Sequence, residues 1–116
     1  MERVEIPAET RRRYEAIAAR LGVTSGVVSS SMFGMPTLKA DGKAFAGIYG
    51  AAMVFKLSGA AHAGALGLAG AALFDPSGMG RPMKAWVVVP PDLSDRWETL
   101  ADEALALTQA ERSASA

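Results

Sequence analysis

The spacing of apolar residues changes period along the chain, and each change marks an element. From Ala8 to Leu21 the apolar positions Tyr14, Ile17, Ala18 and Leu21 follow i, i+3, i+4, i+7, while Arg11, Arg12, Arg13, Glu15 and Arg20 lie mostly on the other side. This predicts an amphipathic helix. Pro7 suits its first turn, Glu9 its positive end, Arg20 its negative end, and Gly22 the left-handed residue after the last turn. Beyond Gly26 the period becomes two, which predicts three strands, Ser31–Lys39, Lys43–Tyr49 and Ala51–Leu57. Asp41-Gly42 is the expected hairpin turn between the first two, and Gly50 turns the next pair. In the third strand Met53, Phe55 and Leu57 alternate with Ala52, Val54 and Lys56, so one side faces a core.

The Gly/Ala-rich run Ala60–Ala69 predicts a short helix of low intrinsic stability, since each interior Gly costs about 1 kcal/mol relative to Ala. Ala71–Phe74 and Met83–Val89 form the next expected hairpin, joined by a loop from Asp75 to Pro82 that is longer than a minimal turn. Pro90-Pro91 ends that strand, Asp92 is the expected cap of a final helix, and Leu93, Trp97, Leu100, Ala104 and Leu107 form its apolar stripe. The pattern predicts one domain over 1–112 with a flexible tail over 113–116. Its class is α+β, a two-layer α-β(3)-α-β(2)-α arrangement with an antiparallel sheet and the helices on one face. The other face would carry Val54, Lys56, Trp86 and Val88, enough apolar area to want cover. A homodimer through the sheet face or edge is the expected solution.

Composition narrows the chemistry. The chain has 116 residues, enough for one core, and it contains no Cys and one His. That excludes a disulfide scaffold, an iron–sulfur cluster, a thiolate zinc site, a cysteine nucleophile and a His-rich metal site within one chain. Twelve basic and twelve acidic side chains balance, without the overall basicity that phosphate backbones attract. The balance hides a polarity, because residues 1–58 hold eight basic and five acidic side chains and residues 59–116 hold four and seven. With Asp92, Asp95, Glu98, Asp102, Glu103 and Glu111 on the final helix, two solvated helices of opposite charge that attract each other is the simplest expectation. Arg11, Arg12 and Arg13 are the alternative, a basic helix face that meets nucleic acid. The alternating charges of Met1–Glu5 do not fit a secretion signal. Leu57 to Phe74 is uncharged, but only Leu57, Leu66, Leu68, Leu73 and Phe74 in it are strongly apolar. A cytoplasmic protein that does not enter a membrane is expected.

Few residues are placed to do chemistry. His62 has no acidic residue, second His or nucleophilic Ser beside it in sequence, so an exposed helix histidine is expected in preference to a general base. Gly64, Gly67 and Gly70 lack the Gly-Lys-Ser/Thr of a phosphate loop. The hairpin around residues 75–84 is the best ligand candidate, because Arg81, with Lys84 following, offers a planar guanidinium to a carboxylate or phosphate. Gly34-Met35-Pro36 inside the first strand predicts a bulge or bend, and Trp86 and Trp97 are expected in a core or interface. No motif implies a metal or a cofactor.

The run Ser31-Met32-Phe33-Gly34-Met35-Pro36-Thr37-Leu38-Lys39-Ala40-Asp41-Gly42-Lys43-Ala44-Phe45-Ala46-Gly47 resembles the opening of the TfoX/Sxy N-terminal domain family. That family places a Met-Phe-Gly segment one strand before an Asp-Gly hairpin and a Phe-Ala strand. Met53-Val54-Phe55-Lys56-Leu57, Gly80-Arg81-Pro82-Met83 and the helix after Pro90-Pro91 agree with it, so the resemblance spans about Val27 to Ala110. It implies a secretion-chaperone-like fold, often dimeric, standing alone without the helical C-terminal domain that the competence regulators of the family add. The expected role is a non-catalytic, dimeric interaction or regulatory domain. The alternatives are nucleic-acid binding through Arg11, Arg12 and Arg13 and a small-ligand site at Arg81 and Lys84.

Overall fold

A computed structural model describes residues 6–32, 35–75, 80 and 83–115. The first helix, α1 (Ala8–Ser25), is followed by four strands, β1 (Val28–Met32), β2 (Met35–Ala40), β3 (Lys43–Tyr49) and β4 (Ala52–Lys56). A short helix α2 (Gly59–Leu66) precedes β5 (Ala72–Phe74) and β6 (Met83–Val89), and a 3-10 segment over Pro91–Arg96 leads into α3 (Trp97–Ser115). The strands form one antiparallel sheet in the order β1-β2-β3-β4-β6-β5. This is an α+β domain, as the periodicity predicts, with one strand more than expected before the short helix.

The extra strand comes from the segment expected as one bent strand. Partners run from Val28 opposite Lys39 to Met32 opposite Met35, so the chain reverses between Met32 and Met35 where a bulge was expected. Gly34 itself lies outside the described residues. Pro36 is compatible with β2 because the ladder to β3 begins only at Thr37 opposite Gly47, so no bond to β3 is lost. The other turns follow the sequence. Asp41 and Gly42 both take positive φ, 53° and 80°, as a two-residue hairpin turn requires, and Gly50 at 64° turns Tyr49 onto Ala52.

Helix ends differ from expectation for a simple reason. Gly22 stays helical, and Gly26 at φ 67° is the left-handed residue that ends α1. Pro90 occupies the capping position of the 3-10 segment that leads into α3, no side chain caps that segment, and Asp92 lies within it. The buried line of α3 runs through Trp97, Leu100, Ala101, Ala104, Leu105 and Thr108, while Leu107 is only half-buried.

All three helices bury their apolar residues in one cluster. Tyr14, Ile17 and Leu21 of α1, Ala65 of α2, and Trp97 and Ala104 of α3 pack there on Leu38, Phe45, Ile48, Met53 and Phe55 of the sheet. The β2–β3 register steps from Leu38 opposite Ala46 to Lys39 opposite Ala44, so Phe45 is an extra residue on β3. This bulge lets Phe45 and Ala46 both enter the helix-side core.

The opposite face holds a second cluster made of strand residues alone: Met35, Val54, Phe74 and Trp86, with Ala44, Met83 and Val88 against them. Val54 stands opposite Val88 and Lys56 opposite Trp86, as the alternation predicts. Tyr49 and Phe74 meet edge to face with ring centres 5.0 Å apart. Their strands are three spacings apart in the sheet, about 14 Å at ordinary strand separation. The sheet therefore curls toward this face. At its rim the register jumps from Leu73 opposite Val87 to Phe74 opposite Met83, which turns Phe74 inward onto Trp86, 6.5 Å between ring centres. Val54, expected to need a partner's cover, is buried within one chain.

Candidate functional site

Among the described residues, several polar side chains that could do chemistry can be followed to the group that occupies them. His62, on α2, stands with Nε2 2.7 Å from the Lys84 carbonyl of β6. A carbonyl only accepts, so Nε2 carries the proton and donates it. The ring is half-buried and ties α2 to the sheet, where an exposed histidine was expected. The same stretch of β6 is held from its other neighbour, since Leu57 N–H donates to the Ala85 carbonyl at 2.8 Å.

Of the two residues expected to hold a small ligand, Arg81 lies outside the described residues. Lys84 is exposed on β6, with its main chain engaged by His62. The loop base is closed by Gly80 N–H donating to Asp75 Oδ2 at 2.9 Å.

Arg11, Arg12 and Arg13 of α1 are all exposed. Glu9 pairs with Arg12, and it accepts from Arg13 Nε at 2.9 Å. Two of the three cations expected to face nucleic acid are thus partly answered within their own helix. Arg20 does something different. Its Nε donates to Glu98 at 2.9 Å and its Nη2 to Asp102 at 3.0 Å, joining α1 to α3. Both carboxylates hold the Arg20 guanidinium above its ordinary pKa, Asp102 more strongly. Among the described residues, Arg20 carries the attraction between oppositely charged helices that the sequence predicts.

Thr10 Oγ1 donates to the Ala51 carbonyl at 2.8 Å and fixes the start of α1 to the β3–β4 turn. Tyr14 Oη and Ser29 Oγ lie 2.9 Å apart and fix the middle of α1 to β1. Burial pushes the Tyr14 hydroxyl above its usual pKa, against the opposing effect of the Ser29 bond. Trp97 Nε1 donates to the Val89 carbonyl at 3.2 Å, and Lys56 reaches Glu111 at 3.1 Å, both joining the sheet to α3. Sequence periodicity had no signal for these ties, because each joins positions that only the fold brings together.

A shallow groove of about 260 Å³ runs between α2 and α3, with Ala61, Gly64 and Leu68 on one wall and Arg96, Thr99 and Glu103 on the other. Among the described residues no three His, Cys, Asp or Glu side chains come together as a metal site would require. No helix among them is long and apolar enough to cross a membrane. The large apolar residues left in water, among the described residues, are Val23, Val28 and Tyr49. Two of them flank the start of β1, at one edge of the sheet. No protein-family model, curated protein or solved structure matches the chain.

Proposed function

We propose that this chain is a non-catalytic, dimeric interaction domain of the TfoX N-terminal type, with a secretion-chaperone-like fold. The observation that carries the reading is the use of its polar side chains. His62, Arg20, Thr10, Tyr14 and Trp97 each spend their hydrogen bonds joining one element to another. Catalysis needs such groups converging on a common point with room for a substrate. Here they are dispersed around the helix-side core, which supports a scaffold whose product is a surface. The order Met-Phe-Gly, Asp-Gly hairpin, Phe-Ala strand supports the family reading, with the Asp-Gly turn in place between β2 and β3.

Light scattering on the full chain across about 1 to 100 μM tests the reading. A mass that rises with concentration toward twice that of the 12.1 kDa chain is expected. A monomer throughout that range overturns it.

A further inference from the structure

We infer that β1 is the seam through which a second copy of this chain joins, extending the sheet across a two-fold axis. The inference rests on the dimeric reading above and adds where the dimer forms. In the order β1-β2-β3-β4-β6-β5 the two outer strands among the described residues are β1 and β5. Folded proteins blunt an outer strand with charge, proline, a bulge, brevity or cover, because its unpaired N–H and C=O groups otherwise recruit another strand. β5 is blunted. It is three residues long, its register with β6 jumps at Phe74, and it curls toward the helix-free face.

Among the described residues none of these devices is seen on β1. Its sequence Val-Ser-Ser-Ser-Met holds no charge and no proline, and its register to β2 advances without a break from Val28 to Met32. Ser29, Ser30 and Ser31 are all exposed. Val28 is 58% exposed, and Val23, in the helical turn just before the strand, is 89% exposed. Apolar exposure beside an open ladder is what a buried seam would remove.

The strand also suits its own copy. Antiparallel pairing about a two-fold axis at Ser30 sets Ser30 opposite Ser30, Ser29 opposite Ser31 and Val28 opposite Met32, so all five residues pair. Small uncharged residues then meet at the centre, and no like charges on β1 face each other. About four to six main-chain hydrogen bonds form, according to which residues turn their amides outward. One open edge and one blunted edge give a closed pair, whereas two open edges would give a filament. A seam of this size is small for a stable complex, so the dimer is weak and its population depends on concentration.

The chain has no cysteine, so one introduced thiol reports without background. Directly opposite residues in an antiparallel pair bring their Cα atoms within disulfide range. Ser30→Cys is expected to form a covalent dimer on mild oxidation, while Thr99→Cys on α3 stays monomeric. Ser30→Lys sets two ammonium groups face to face and is expected to weaken association about tenfold or more, with far-UV circular dichroism and melting temperature unchanged. Wild-type dimer with both results supports the seam. Wild-type dimer with no Ser30→Cys cross-link and unweakened Ser30→Lys overturns the seam and leaves the dimeric reading standing. Should Ser30→Lys misfold, the conservative Ser30→Cys decides alone. A wild-type monomer at about 100 μM overturns both, and strand addition by a different protein becomes the use of this edge.

Discussion

Thr108 is buried on α3, and its hydroxyl has no hydrogen-bond partner among the described residues. A buried hydroxyl left unpaired costs about 1–3 kcal/mol, while valine fills the same shape without that cost. Thr108→Val is therefore expected to raise stability by about 1 kcal/mol, read as a melting temperature higher by about 4 °C. Gly47 poses the opposite problem. A Cβ there would meet the Pro36 carbonyl oxygen at 2.9 Å and Met35 Cε at 3.1 Å. The methionine can move aside but the main-chain oxygen cannot, so Gly47→Ala is expected to cost about 1–3 kcal/mol in urea unfolding. Tyr14 adds a pH dependence. The folded chain holds its phenolic proton more tightly than the unfolded chain, whose hydroxyl titrates near 10.0. The resulting stability is complete below that pH and is lost as pH rises through the higher folded value. Tyr14→Phe should lose less stability than wild type between pH 9 and 11, measured by melting at each pH.

At the scale of elements, the ties between α1 and α3 run through exposed side chains. The Arg20 bridge to Glu98 and Asp102 is half in water, so its strength is limited by screening and by the entropy of holding long side chains. Arg20→Ala is expected to cost less than about 1 kcal/mol, and the difference should shrink further in about 1 M salt. Elements whose cause is local were legible in the sequence. The Asp-Gly turn needs only two residues tolerant of positive φ, and the alternation of β4 needs only one buried face. β1 was missed because an outer strand with three serines buries little and carries no apolar period. The final helix was legible as a stripe, but its line drifts toward Ala101, Leu105 and Thr108 because the curved sheet beneath it decides which residues are covered. Of the candidate site residues, Lys84 and the arginines of α1 are exposed as a sequence reading expects. The bond from His62 to Lys84 joins residues 22 positions apart and left no trace in spacing.

For the molecule as a whole, the curl of the sheet changes what its helix-free face can do. A flat sheet would offer Val54, Phe74 and Trp86 to a partner, whereas here the chain folds its own rim over them. The seam proposed at β1 accordingly draws on the strand's edge and not on this face. The curl also divides the aromatic reporters, because Trp97 sits in the helix-side cluster and Trp86 in the strand-only cluster. Each tryptophan therefore watches a different half of the interior, separated by the thickness of one sheet. With Trp86→Phe and Trp97→Phe, the remaining indole in each variant gives the unfolding of one half by fluorescence. The strands are common to both halves, so a single cooperative transition is expected from either indole, after allowing for each substitution's own effect on stability. Separate midpoints that circular dichroism does not share would mean that the curled rim opens while the helices stay docked, making the far side of this sheet a folding unit of its own.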